Sequence, residues 1–141
     1  MNKIKDIVDT ALESDSFKTL CKAVTAAGLV EILKAPGPFT VFAPTDDAFA
    51  KLPSGTVDSL MKDKKKLISI LKYHVVPQKL MVRDFKRPQS FETLEGQKIK
   101  VDGLMWHINK HIKVNDAKTV ATDIKATNGV IHAIDSVLMP K

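Results

Sequence analysis

The chain has 141 residues, of which 44% are hydrophobic and 27% charged, a composition typical of one folded domain and not of a disordered tail. No apolar run approaches the roughly 20 residues that span a bilayer, and the single cysteine, Cys21, excludes an intrachain disulfide. The formal net charge of +6 favours an anionic partner such as an acidic polysaccharide, a membrane surface or nucleic acid.

Helical periodicity dominates the first half of the chain. Apolar residues recur at three- and four-residue steps over residues 4–12 and again from residue 17, which predicts two helices. Residues 14–16 contain two serines and are expected to cap the second helix. A short helical turn follows at residues 29–33, and residues 39–43 are expected to form a buried strand.

Thr45 marks the start of the next predicted helix. Its hydroxyl suits an N-cap, and the carboxylates of Asp46 and Asp47 lie in the first turn, where the helix dipole is positive. Two more helices are expected at residues 57–61 and 64–73. The run KDKKK at residues 62–66 is the one basic cluster of the sequence, and it is either a solvated helix face or a ligand site.

Strand signals accumulate after His74. A Glu95-Gly96 turn between two short β-like segments predicts a hairpin. Asn128-Gly129 predicts another, of type I′, in which both central residues have positive φ. The remaining predicted strands cover residues 75–76, 80–82, 104–108, 112–114, 119–124 and 130–138. Helices first and strands later indicate an α+β fold.

The residues do not predict catalytic, metal or cofactor chemistry. His107 and His111 have a zinc-like spacing, but on an extended strand they lie about 13 Å apart, unless a turn at residues 109–110 brings them closer. Asp135 and His132, three apart on a strand, point to opposite faces. The sequence contains no Gly-x-Ser-x-Gly motif and no phosphate-binding glycine loop. We therefore expect no enzyme activity, no metal and no cofactor.

Specific nucleic-acid binding is not expected either. The chain has six Phe, one Tyr and one Trp, and most of them lie inside apolar runs that are typical of a core. No helix-turn-helix or zinc-finger pattern is present in the sequence.

Three segments together resemble the fasciclin (FAS1) domain. They are TVFAPTDDAF at residues 40–49, similar to the first sequence box of the family, LKYHVV at residues 71–76, similar to its Tyr-His motif, and ATNGVIHAIDSVLMP at residues 126–140, similar to its second box. Their order and spacing also fit, and the resemblance covers nearly the whole chain. It implies a single-domain microbial member over residues 1–141, with short N-terminal helices packed on a seven-stranded β wedge or sandwich.

The resemblance also implies a function. Fasciclin domains are cell-adhesion modules, so the expected partner is a cell-surface or matrix protein or an anionic polysaccharide, and the expected location is extracellular. The first residues of this chain lack the apolar core of a secretory signal, which leaves removal of a signal and a cytoplasmic location as alternatives. Oligomeric state and ligand stay open.

Candidate binding residues follow from the same resemblance. In animal members, integrin recognition is placed at an Asp-Ile pair upstream of the second box and around the Tyr-His motif, positions that Asp123-Ile124 and Tyr73-His74 occupy here. Architectural roles are the alternative: a loop N–H bonded by Asp123, a buried ring for Tyr73 and a neutral, locally bonded His74. Thr45, Asn128, Gly129 and His132 are assigned to the structural motif.

A second hypothesis belongs to a different class. In it, the fold carries a small-molecule or hydrolytic site in a pocket near His74 or His132. Its signature would be a polar-lined pocket beside a histidine with a shifted pKa.

Overall fold

The structure is a computed structural model that describes residues 6–13, 16–53, 55–81, 89–102, 112–115 and 117–138. Within these residues, the helices lie before residue 73 with one strand among them, and the other strands follow. The helices are α1 (Ile7–Glu13), α2 (Lys18–Ala27), α3 (Val30–Lys34), α4 (Asp46–Ala50), α5 (Thr56–Lys62) and α6 (Lys64–Lys72). The strands are β1 (Phe39–Pro44), β2 (Val75–Val76), β3 (Gln89–Glu92), β4 (Lys98–Asp102), β5 (Lys113–Val114), β6 (Ala117–Ala126) and β7 (Gly129–Ile134).

The described strands form one mixed sheet in the order β2-β1-β7-β6-β5-β4-β3. Strands β1 and β7, which are distant in the chain, lie side by side as the second and third strands of this order and run parallel, whereas every other described pair is antiparallel. These two strands carry the first and the second of the sequence boxes. This parallel pairing therefore joins segments about ninety residues apart in the chain.

Side chains alternate between the two faces of this sheet, and each face has its own core. The helix-side core is the cluster that the helices form with Val41, Ala43, Val75, Ile131 and Ala133 of the sheet. The strand-side core packs the opposite face of the central strands against β4 and β5, and it includes Phe42, Val76, Ile99, Val101, Ile112, Val114, Ile134 and Leu138.

Two predicted details near the helices are wrong. The N-cap of α2 is Phe17, which makes no side-chain cap bond. The cap comes instead from another helix, because Asp46 Oδ1 accepts a hydrogen bond from Thr19 N at 2.7 Å. A strand was also expected at residues 80–82, of which residues 80 and 81 are described. Neither residue pairs with a strand, and Leu80 N donates a hydrogen bond to the side chain of Thr40 instead.

The Asn128-Gly129 turn needs a correction as well. A hairpin does connect β6 and β7, but Ala126 pairs with Gly129, so its two loop residues are Thr127 and Asn128. None of Thr127, Asn128 and Gly129 has a positive φ, which excludes the type I′ turn. A different constraint acts at Gly129: an added Cβ would collide with the carbonyl oxygen of Phe39 on the paired strand β1. Glycine is required there for close backbone approach.

Candidate functional site

Tyr73 belongs to the strand-side core, and its hydroxyl group is hydrogen-bonded. Its ring is buried. Its hydroxyl donates a hydrogen bond to Lys98 O at 3.2 Å and accepts one from Asn115 Nδ2 at 3.0 Å. The residue therefore links the end of α6 to strand β4 and to the loop after β5, which agrees with the architectural alternative.

His74 is fully enclosed between the two cores. Its Nδ1 lies 2.7 Å from Ile70 O, and its Nε2 lies 2.8 Å from Leu138 N. A peptide N–H can only donate, so Nε2 is the acceptor and Nδ1 carries the proton, which it donates to Ile70. Burial lowers the pKa of His74 to about 4, against a smaller opposing effect of the Ile70 bond. The neutral ring thus holds the C-terminal segment against α6.

His132 and Thr40 fasten the segment that follows β2. The Nε2 atom of His132 lies 2.7 Å from Leu80 O, and its ring stacks on Phe42 with centroids 5.6 Å apart. Thr40 Oγ1 donates to Gln78 O at 2.6 Å and accepts from Leu80 N at 2.8 Å. Both side chains are buried, so they hold the backbone of this segment in place and are not presented to a ligand.

Asp123 and Ile124 lie in β6 where its pairing with β7 is irregular. The register shifts between Ala121 and Ile124, and Ile124 then pairs with Ile131. The side chain of Ile124 is half-buried against the helix-side core. Three strand spacings, about 14 Å, separate Ile124 from Val75, the neighbour of His74. The structure therefore does not bring the two predicted binding motifs into one site, and their binding role stays a prediction.

Thr45 and Asn128 are anchors of local architecture. Thr45 caps α4 as expected, since its hydroxyl accepts a hydrogen bond from Ala48 N at 3.2 Å. Asn128 does more than its sequence context indicated. Its Oδ1 accepts from Ile7 N at 3.0 Å, and its Nδ2 donates to Leu33 O at 2.6 Å and Ala35 O at 2.8 Å. One amide thus joins the start of α1 to the end of α3.

Two features of the described ranges bear on metal binding and nucleophilic chemistry. Those ranges contain no cluster of three or more His, Cys, Asp or Glu residues able to hold a metal ion. Burial, aided by the charge of Asp46, raises the pKa of the Cys21 thiol, which keeps it protonated and poorly nucleophilic. His107 and His111, whose spacing raised the zinc question, lie outside the described residues.

An apolar cavity of about 180 Å³ lies between the helices and the sheet. Its wall includes Val8 of α1, Val24 of α2 and Val41 of β1, and it reaches the buried His74. Leu12, whose side chain is 60% exposed, belongs to the same wall, so the cavity extends to the protein surface. A pocket beside His74 was part of the second hypothesis, but this cavity lacks the polar lining that would distinguish that hypothesis.

Lysines form two surface groups, and only one was visible as a run in the sequence. We call Lys62, Lys64, Lys65 and Lys66 the lysine corner; all four are exposed at the junction of α5 and α6. The second group, the sheet lysines, consists of Lys98, Lys100, Lys113 and Lys118 on the outer face of β4, β5 and β6. The alternation of lysine with buried apolar residues in β4 is the signal that could have revealed it.

Acidic residues lie near both lysine groups. In the sheet, Glu92 lies opposite Lys98 and Asp102 opposite Lys113. At the corner, the first turn of α6 contains no acidic residue, and Asp63 Oδ1 accepts a hydrogen bond from Lys66 N at 3.3 Å as the helix cap. Within the described part of the chain, no lysine of the corner forms an ion pair. Asp58 also lies one helical turn before Lys62, so each group has two acids nearby, and the corner differs in concentrating its four lysines within five consecutive positions.

Comparison with known proteins decides the family. A family model of the fasciclin domain matches residues 15–140. This chain belongs to the fasciclin family. It is 45% identical over 134 residues to the uncharacterised protein sll1735 of Synechocystis sp., a match that covers 95% of this chain and 97% of that protein. It is 37% identical, again over 134 residues, to transforming growth factor-beta-induced protein ig-h3 of Sus scrofa, covering 95% of this chain and 19% of ig-h3.

The fold agrees with that of a solved fasciclin structure. A FAS1 domain pair from the insect cell adhesion molecule Fasciclin I superposes with a TM-score of 0.79 at 18% identity, over 96% of this chain and 51% of the pair. The predicted family and the α+β fold are thereby confirmed. The extent of the domain, residues 1–141, stays a prediction. Among the described residues, no helix is both long and apolar enough to cross a membrane.

Proposed function

We propose that this fasciclin domain is a non-enzymatic adhesion module that attaches to an acidic polysaccharide of a cell surface or matrix through the lysine corner. The observation that carries the proposal is the concentration of four exposed lysines, without an ion-pair partner among the described residues, at one helix junction. Family membership supports the adhesion role, and the net charge of +6 favours the same class of partner.

The local geometry adds to this charge. The N-terminal end of α6 has a positive dipole, where carboxylates would be stabilising and lysines are not. Lys64, Lys65 and Lys66 nevertheless occupy this turn, and the carboxylate of the cap residue Asp63 offsets only part of their charge, so a bound anion would be stabilised there. A shallow depression beside them is lined by Thr56 and Ser59 of α5 and also by Asp63 and Lys66. Its two hydroxyl groups can bond to a polysaccharide.

The histidines support a binding role over catalysis. Both ring nitrogens of His74 are occupied by backbone groups, and His132 is buried and bonded to Leu80 O. A general base must reach the proton that it abstracts, and neither ring faces an open polar site. The hydrolytic version of the second hypothesis therefore loses its candidate base.

The test is a comparison of two triple variants with the same change in charge. Lys62, Lys64 and Lys65 are replaced by glutamine in one, and Lys100, Lys113 and Lys118 in the other. Binding to immobilised heparin is measured at low and moderate salt, with neutral dextran as the reference surface. We expect the corner variant to lose about tenfold or more in affinity and the sheet variant about threefold or less. Each exposed lysine contributes only weakly to binding an anion, so a large loss requires that all three replaced lysines contact it. Equal losses, or no binding by the wild-type protein, would contradict the proposal.

A protein partner is the other outcome of this experiment. If the wild-type protein binds no acidic polysaccharide but adheres to cells, the Asp123→Ala variant tests the Asp-Ile motif. Loss of adhesion in that variant would place recognition at β6.

A further inference from the structure

The cavity on the helix side has the size of a small hydrocarbon group. A cavity of about 150 Å³ lined by Leu, Ile and Phe is enough to bind benzene. The 180 Å³ cavity described above therefore accommodates about six to eight carbon atoms. A sterol, a long acyl chain or a nucleotide is too large for it.

The chemistry of the wall selects an apolar occupant. Apart from its two lysines, the polar side chains that line the cavity are bonded to the backbone or uncharged. His74 has both ring nitrogens bonded, and Thr25 Oγ1 donates to Cys21 O at 2.8 Å. The Cys21 thiol stays protonated. The hydroxyl of Thr25 can still accept a hydrogen bond, but it is exposed. A polar group buried deeper in the cavity would lose most of its hydration without compensation.

The cavity wall includes two lysines, and only one of them has acidic neighbours. Lys34 is balanced by acidic neighbours, with its Nζ 3.7 Å from Asp6 Oδ2 and 3.4 Å from Asp9 Oδ1. Lys72, in the last turn of α6, is half-buried and has no acidic partner among the described residues. One positive charge therefore borders the apolar space without compensation.

We propose that the cavity binds a short-chain monocarboxylate, with a hydrocarbon tail of about six to eight carbons in the apolar space and the carboxylate at Lys72. This site goes beyond the adhesion surface, because the cavity wall includes none of the four lysines of the corner. The tail supplies affinity through burial of apolar surface, and the ion pair with Lys72 selects an acid over the neutral alcohol.

A chain-length series tests the tail. Butanoate, hexanoate, octanoate and decanoate are titrated into the intact protein by calorimetry. Each added methylene is expected to tighten Kd about fourfold until the cavity is filled near eight carbons, after which the gain stops. Saturating octanoate is also expected to slow alkylation of Cys21, which lines the cavity. Absence of binding for every chain length, or affinity that keeps rising through decanoate, would overturn the proposal.

Two variants with matched controls test the site itself. Lys72→Gln is expected to weaken hexanoate binding about two- to fivefold while hexanol binding is unchanged, whereas Lys113→Gln in β5, outside the cavity wall, changes neither. Val24→Ile adds one methylene to the wall and is expected to shorten the optimal chain by about one carbon. The proposal fails if Lys72→Gln weakens acid and alcohol equally, or if Val24→Ile leaves the chain-length optimum where it was.

Discussion

The two faces of the central sheet are packed differently. On the strand side, Phe42, Ile99, Val101 and Val114 are fully buried in one cluster, and the backbone around them is fastened by His132 and Thr40. On the helix side, short helices leave an apolar cavity of about 180 Å³ against the same strands. Hydrogen-bonded strands form a continuous layer that covers one face of the sheet. Short helices cover the other face as separate elements, which leaves gaps at their ends.

This difference separates stability from adaptability within one small domain. A solid core tolerates neither added nor removed volume, whereas a cavity costs stability but accepts extra atoms. The strand side is therefore expected to behave as a rigid scaffold. The helix side contains the space that a ligand can use.

The largest expected effect comes from the strand pair that both sides share. In Gly129→Ala, the new Cβ meets the carbonyl oxygen of Phe39 and lies 2.9 Å from Ile7 Cδ1, so β1 and β7 must separate. We expect a loss of about 3 kcal/mol or more in the free energy of unfolding, measured by urea denaturation.

Gly96→Ala is the matched control for this variant. Gly96 has a positive φ of 109°, but an added Cβ there has no atom within 4 Å. The expected cost is only about 1 kcal/mol, from the backbone conformation. If both variants lost the same stability, close approach at the shared strands would not be the reason for Gly129.

His74 links the two sides and predicts an acid-dependent loss of stability. It bonds to Ile70 of the helix-side core and to Leu138 of the strand-side core. Its folded pKa, lowered to about 4, lies below the unfolded value near 6.5, so the unfolded state takes up the proton first as pH falls. The contribution is fully present above about pH 6.5 and is lost toward pH 4, by roughly 2–3 kcal/mol.

His74→Gln isolates this contribution from the carboxyl groups that titrate in the same range. The variant is less stable at neutral pH, but its free energy of unfolding falls less between pH 6.5 and pH 4 than that of the wild-type protein. Parallel pH curves for the two proteins would show that His74 is not the group responsible.

Local patterns in the sequence predicted local structure well. The Thr45 cap, the hairpin around Glu95-Gly96 and the helix at residues 64–73 depend on neighbours within a few positions, and each was found with small shifts at its ends. The Asn128-Gly129 pair was placed in the correct hairpin but in the wrong turn. Both residues are determined by segments distant in the chain. Gly129 is required by the close approach of strand β1, and the side chain of Asn128 bonds to the ends of two helices.

Long-range features were beyond the reach of the sequence alone. The cap that Asp46 provides to α2 joins residues 27 positions apart, and the bond from Leu138 to His74 spans 64 positions. The cavity is set by the ends of several short helices, which no periodicity describes. For the candidate site, composition indicated a basic surface, but the exposure and neighbours of each lysine needed the fold.

The most direct test of the difference between the two faces compares the same small substitution on each side. Val24→Ile adds one methylene to the cavity wall, and Val114→Ile adds one to the fully buried strand-side core. Urea denaturation is expected to show Val24→Ile about 0.8 kcal/mol more stable than the wild-type protein and Val114→Ile about 1 kcal/mol less stable. Destabilisation by both substitutions would show that the helix side is packed as tightly as the strand side, and would contradict the account.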